Sequence, residues 1–312
     1  MRWCKRSTMR LRAPTGRRSS KCSCPDRATR SFPQSRLSPF IDMDLQLHGK
    51  AAFITGGSMG IGKAVALELA REGVNVAIAA RRIEHLEAAA AEIRTALAPL
   101  GDAAGAILPV TVDTTDMASI EAAMAASVER FGRLDILLNG AAHPGGLVRT
   151  ELEHADPQGL LQDIDIKVVG YLRCAKAAAP YMRRNGFGRI VNIGGLTGRG
   201  SKQLSGMRNV AIVHLTKTLS DQLGPFGITV NTIHPGVVET PHIHELYEKE
   251  AQKQGLTAAE VEANYVKVTP IRRVLQPEEM GWIVAFLASP KSGSITGESI
   301  GCDGGLTRGI FL

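Results

Sequence analysis

Thr55, Gly56, Gly60 and Gly62 carry the clearest chemistry in the chain, within the stretch FITGGSMGIGKAVALELAREG. Glycines at this spacing let a backbone turn tightly and approach an anion, and the free N–H groups opening the helix that follows favour a phosphate. The stretch reads as a buried strand, a glycine-rich turn that includes Ser58, Met59 and Ile61, and an amphipathic helix running to about Arg71. That is the context of a dinucleotide-binding turn. The second strand of such a site normally ends in a carboxylate that accepts from the ribose hydroxyls. Here it ends Ala79-Ala80-Arg81-Arg82, with Ala80 at the carboxylate position. A 2′-phosphate would meet the Arg81 cation, so NADP is the expected cofactor over NAD. The alternative is that Arg81 and Arg82 only open a solvated helix.

A parallel sheet is needed to hold these residues. From Gly49 onward short apolar runs alternate with longer helical patterns, which predicts βαβ units. Ala51–Thr55, Val74–Ala80, Ala106–Asp113, Leu134–Asn139, Gly188–Ile193, Ile228–Ile233 and Glu298–Cys302 read as strands. Between two of them, Ile83, Leu86, Ala90, Ile93 and Leu97 form one stripe of a helix. The expected fold class is α/β: a doubly wound, mostly parallel sheet in a Rossmann-type three-layer sandwich, as one domain over residues 43–312.

The formal charge of +7 points to a nucleic-acid or membrane partner until its position is considered. Residues 1–43 carry eleven Lys/Arg against two Asp, so the remainder sums to −2. A near-neutral domain has no general electrostatic reason to bind a phosphate backbone, and neither nucleic acid nor membrane is expected as a partner. No apolar run approaches the roughly 20 residues that span a bilayer. Residues 1–42, rich in Arg, Ser and Pro, are expected to be disordered. They read either as a transit peptide or as the product of a start codon upstream of a true start at Met43. Of Cys4, Cys22, Cys24, Cys174 and Cys302, two belong to the domain. Such sparse usage predicts no disulfide framework and a cytoplasmic location, or an organelle if residues 1–42 are a transit peptide. Cys22 and Cys24 lie closer than a zinc-type CxxC pair with nothing His/Cys-rich after them, so no metal site is expected.

The chain resembles the short-chain dehydrogenase/reductase family over Leu47–Leu312. TGGSMGIG at Thr55–Gly62 resembles its TGxxxGxG, and Asp113-Thr114 sits where the family contacts adenine. Asn139-Gly140-Ala141-Ala142 resembles its NNAG element with the second Asn missing. Pro235-Gly236 with Thr240, around Val238, matches the PGxxxT segment near the nicotinamide carboxamide, and Asp303-Gly304-Gly305 the closing DGG. The resemblance implies an oxidoreductase that transfers a hydride to or from a carbonyl or alcohol, and a homo-oligomer, usually a tetramer, otherwise a dimer. Helices around Ile164–Arg184 and Arg208–Leu223 would pair between subunits.

The family's proton relay uses Tyr, Lys, Ser and Asn, and this sequence departs from all four. Alignment back from Leu215-Thr216-Lys217 puts the Tyr on Ser205 and the Lys on Asn209; the Ser falls on Gly195 and the helix Asn on Lys167. Tyr171, Tyr181, Tyr247 and Tyr265 are followed four places on by Ala175, Asn185, Ala251 and Thr269, so no YxxxK exists. Lys167, on the helix lining the cleft, is the candidate acid or base if burial lowers its pKa; otherwise it is an exposed helix lysine. Ser205 is a candidate hydrogen-bonding group, Asn209 a partner for ribose hydroxyls, and Arg208 either an anion ligand or a solvent-facing side chain. His143, His234 and His242 fall near the cleft and are expected to be structural or to line its wall. Residues 241–277, with the charged run His244–Lys253, occupy the substrate-lid position. Two readings stay open: an oxidoreductase with an atypical site, or a catalytically silent NADP-binding sensor or scaffold.

Overall fold

Strands buried on both faces read as continuous apolar runs, and Ala51–Thr55 (β1) is buried at every position. The computed structural model describes residues 43–143, 152–199 and 203–309. The expected disorder of residues 1–42 lies outside the described residues. From Asp44 onward the chain forms one compact unit.

Six further strands follow: β2 (Asn75–Ala80), β3 (Ile107–Thr111), β4 (Ile136–Asn139), β5 (Gly188–Ile193), β6 (Ile228–Pro235) and β7 (Ser299–Cys302). All pairings are parallel, in the order β3-β2-β1-β4-β5-β6-β7. This is the doubly wound arrangement, whose direction of winding switches between β1 and β4. The strand bounds differ from the sequence reading by at most two residues. β3 ends early because the Asp113 side chain accepts from the Thr115 N–H (2.9 Å) and hydroxyl (2.7 Å), which turns the chain out of the sheet.

Alternate residues of a strand face opposite sides, and the two cores show it. Ile54, Val76, Ile78, Leu138 and Val191 pack with α1 (Gly60–Arg71), α2 (Ile83–Leu97) and, later in the chain, residues of Pro277–Ala288. Phe53, Ala77, Leu137, Ile190 and Val230 face α3 (Met117–Phe131) and the buried sides of two other helices. The first of these follows α4 (Pro157–Ile164) and a π-helical turn, Asp165–Val169, and is α5 (Gly170–Asn185); the second is α6 (Gly206–Leu223). The result is a three-layer sandwich.

Residues 241–277, read from sequence as occupying a lid position, are largely helical. α7 (Pro241–Gln254) extends beyond the run read from sequence and packs against α8 (Ala258–Val268) through Ile243, Tyr247, Ala251 and Val261. A parallel bridge between Val238 and Leu275 ties its base before α9 (Pro277–Ala288) begins.

Candidate functional site

Register brings the polar strand ends into one row. Thr55 pairs with Asn139, Asn139 with Asn192, and Asn192 with Thr232. Three of these residues join Thr216 in a chain of hydrogen bonds: Asn139 donates to Asn192 (2.9 Å), Asn192 to Thr216 (2.9 Å), and the Thr216 and Thr232 hydroxyls are hydrogen-bonded at 2.6 Å. The Asn139 Oδ1 is buried without a partner among the described residues. Thr55 Oγ1 accepts from the N–H groups of Gly140 (3.1 Å) and Ala141 (3.2 Å), locking the end of β4 against the glycine turn.

That turn has no room for a Cβ at Gly56 or Gly62. Gly56 has φ +73°, and a Cβ there would lie 2.8 Å from the Gly140 carbonyl oxygen. A Cβ on Gly62 would collide with the Gly56 carbonyl, and one on Gly140 would lie 2.7 Å from that of Thr55. Gly60 starts α1, and Thr240 approaches it from across the cleft. Ser58 and Ile61 are half-buried and Met59 exposed beside the turn. Pro235 and Gly236 pack against Cys302 and Asp303 at the end of β7, and Val238 is buried. At the other end of the cleft, the exposed Asp113 carboxylate is held below its ordinary range, first by the Thr115 N–H and hydroxyl and further by the nearby Arg81 cation. Thr114 is buried against Gly170, with its hydroxyl directed at the Ile166 carbonyl (3.4 Å). Arg81 is exposed just beyond Ala80. A backbone cradle cleared of Cβ atoms, at a helix N-terminus and at the sheet's switch point, fits a dinucleotide pyrophosphate.

Beyond the turn the structure assembles a second cluster. Lys167 lies within the π-helical turn, a local widening that often marks functional sites. Its side chain is only 3% exposed, and Nζ donates to the Gly194 carbonyl (2.9 Å) and to Asn209 Oδ1 (2.8 Å). Burial pushes its pKa down to about 7, the Arg208 cation adds to the fall, and Asp163 opposes it. Asn209 also donates to Thr197 Oγ1 (2.7 Å), so both ends of its amide are engaged. Ser205, one turn before Asn209, is buried at the start of α6. A Cβ on Gly195 would come within 2.7 Å of Asn209 Nδ2.

Arg208 corrects the sequence reading: it neither faces solvent nor lies open to an anionic substrate. It is buried, bound to Asp163 Oδ1 (2.5 Å) and to the His143 carbonyl (3.1 Å). Asp163 was not singled out from sequence, because nothing local reveals that its carboxylate turns inward to meet a cation 45 positions away. Thr197 escaped notice for the same reason. His234 is buried, with Nδ1 against the Gly195 backbone and Nε2 2.7 Å from Ser299 Oγ; burial lowers its pKa. The side chain of His143 is exposed, and that of His242 is half-buried with its pKa lowered by burial. Among the described residues no group of His, Cys, Asp and Glu is placed to hold a metal ion, and no helix is long and apolar enough to cross a membrane.

The fold and the glycine cradle define a dinucleotide-binding α/β protein of the Rossmann type. A family model described as enoyl-(acyl carrier protein) reductase matches residues 56–307. The short-chain reductase protein NovJ of Streptomyces niveus is 36% identical over 260 residues, 81% of this chain and 92% of that protein. The NADPH-dependent reductase BacG of Bacillus subtilis is 32% identical over 264 residues, 84% and 99% of the two chains. The L-sorbose reductase of Gluconobacter frateurii, solved with NADPH and L-sorbose, superposes with a TM-score of 0.78 at 26% identity, covering 86% of this chain and all of that one. The chain belongs to the short-chain dehydrogenase/reductase family, a family of NAD(P)-dependent oxidoreductases.

Proposed function

We propose that this protein is an NADP(H)-dependent carbonyl reductase or alcohol dehydrogenase in which Lys167 takes over acid–base duty from the missing tyrosine. The observation that carries the reading is the contact between Lys167 and Asn209. By the family resemblance the helix position of Lys167 belongs to an asparagine and that of Asn209 to a lysine. The two side chains are exchanged, yet the ammonium still lands between the same two helices.

Bound NADPH supplies a hydride from its nicotinamide C4. Thr55, Gly56, Gly60, Gly62, Gly140 and Ala141 would cradle the dinucleotide, Asp113 and Thr114 its adenine, and Pro235, Gly236, Val238 and Thr240 its nicotinamide. Arg81 would take the 2′-phosphate, which the absence of a carboxylate at Ala80 permits. Lys167 holds the proton that the substrate oxygen needs. An ammonium has three N–H donors; Gly194 and Asn209 use two, and the third has no partner among the described residues. As the carbonyl carbon becomes an alcohol carbon, this proton passes to the oxygen, and the neutral amine regains one from water. A pKa of about 7 suits a group that must both give and take a proton near neutrality. Asn209 positions the amine, and Ser205 and Thr197 offer hydroxyls to the substrate. Residues 241–277 act as the lid, and α5 and α6, with Leu172, Met207 and Val210 exposed, pair between copies in a cytoplasmic homo-oligomer.

The test is NADPH binding by fluorescence, followed by NADPH oxidation over a panel of ketones, quinones and enones, for wild type and Lys167→Ala. Turnover that is lost in the variant while binding persists supports the reading. Tight binding without turnover across the panel would leave a silent sensor or scaffold, and turnover indifferent to Lys167→Ala would remove the role given to Lys167.

A further inference from the structure

Two rungs join the same pair of helical segments. Asp163, near the end of α4, meets Arg208 of α6 at 2.5 Å; Lys167, four residues on in the π-helical turn, meets Asn209, the residue after Arg208, at 2.8 Å. The first rung is an ion pair whose carboxylate is fully buried and whose guanidinium side chain is 8% exposed. It is costly, since Asp163 Oδ2 and Arg208 Nε are both buried without partners among the described residues. The Arg208 guanidinium also reaches a third element, donating to the His143 carbonyl just after the Asn139–Ala142 stretch. One guanidinium therefore ties α4, α6 and the chain leaving β4 around the lysine.

We propose that the Asp163–Arg208 pair is a positioning device for Lys167, fixing the wall of its enclosure and setting the charge balance against which it holds its proton. The inference rests on the acid–base reading of Lys167, but its test does not depend on turnover. The charged and titratable groups around Lys167 are few: Arg208 from α6, Asp163 from α4, His234 from β6, and Tyr171 from α5, whose ring centroid is 6.0 Å from Nζ. Tyr171 donates its hydroxyl proton to the Ile193 carbonyl and burial raises its pKa, so it stays neutral. Burial lowers the His234 pKa and so favours its neutral form. The pair thus supplies the only close charges among the described groups.

The experiment is a direct titration of the Lys167 amine by nitrogen NMR in lysine-labelled protein, with its signal assigned by loss in Lys167→Met. In Arg208→Met the titration moves upward by on the order of one pH unit, because a cation is lost and Asp163 is left as an unpaired anion. In Asp163→Asn it moves downward by a similar amount. The neutral double variant Asp163→Asn/Arg208→Met returns close to wild type. If Arg208→Met fails to fold, Arg208→Gln replaces it. Asp163→Asn is decisive on its own, because a merely structural clamp, once loosened, would admit water and move the lysine upward. An upward shift or none in that variant overturns the proposal. Shifts in the stated directions that the pH profile of turnover does not follow would leave the proposal standing and remove the acid–base role of Lys167.

Discussion

The ammonium of Lys167 lies 2.8 Å from the amide oxygen of Asn209, and the amide nitrogen of Asn209 lies 2.7 Å from the hydroxyl of Thr197. One side chain thus links a buried cation to a hydroxyl at the edge of the cleft. The amide can satisfy both neighbours only because Gly195 leaves it space.

If Lys167 donates the proton, carbonyl reduction needs its charged form and alcohol oxidation its neutral form. Reduction should therefore fall, and oxidation rise, as pH increases through about 7. Lys167→Met should lower kcat by roughly 10²–10⁴-fold and abolish this ionisation while leaving NADPH affinity nearly unchanged. Steady-state pH profiles in both directions check it.

Stability carries the same signature. The folded-state pKa of Lys167 lies near 7 against an ordinary 10.5, so between these values the unfolded chain binds the extra proton. Stability from this group is lowest below pH 7, rises with pH across the window and is complete above it. Lys167→Met removes the dependence. Its Tm relative to wild type should be more favourable at about pH 6 than at about pH 10 by differential scanning calorimetry.

Placing a serine at Gly195, where the resemblance puts the family's serine, should not restore the family's chemistry. A Cβ at position 195 would press on Asn209 at 2.7 Å, so Gly195→Ser should cost about 1–3 kcal/mol and displace the amide from Lys167. Urea denaturation measures the first effect and the lysine titration the second.

Arg81→Ala should weaken NADPH binding by roughly 10-fold or more and leave NADH nearly unchanged, as expected for loss of one charge-assisted contact to a phosphate. Parallel fluorescence titrations with the two cofactors check it; equal losses would count against the 2′-phosphate assignment.

Far from the cleft, Asp135 accepts from the Ala51 N–H (3.0 Å) and from two nitrogens of Arg133 (2.6 and 2.9 Å) while itself fully buried. Asp135→Ala leaves the start of β1 unanchored and should destabilise the protein by about 3 kcal/mol without a specific effect on cofactor affinity. Denaturation and NADPH titration together test this.

The sequence by itself determined the sandwich and its glycine turn. Alternating apolar runs require a sheet covered on both faces, and glycines between a strand and a helix read the same wherever they occur, because their constraint is local. It also determined that no YxxxK is present, and the family resemblance led from there to Lys167 and Asn209 as candidates. Only the tertiary structure decided what those residues do to one another. It turned Arg208 away from the solvent and substrate roles read for it, because Asp163 meets it from another helix. It enclosed Lys167 and so lowered its pKa, and it assigned Thr197 and the Gly194 carbonyl to the same cluster. Such facts depend on which helices face each other across the end of the sheet, and register and packing fix that, not any pattern along the chain.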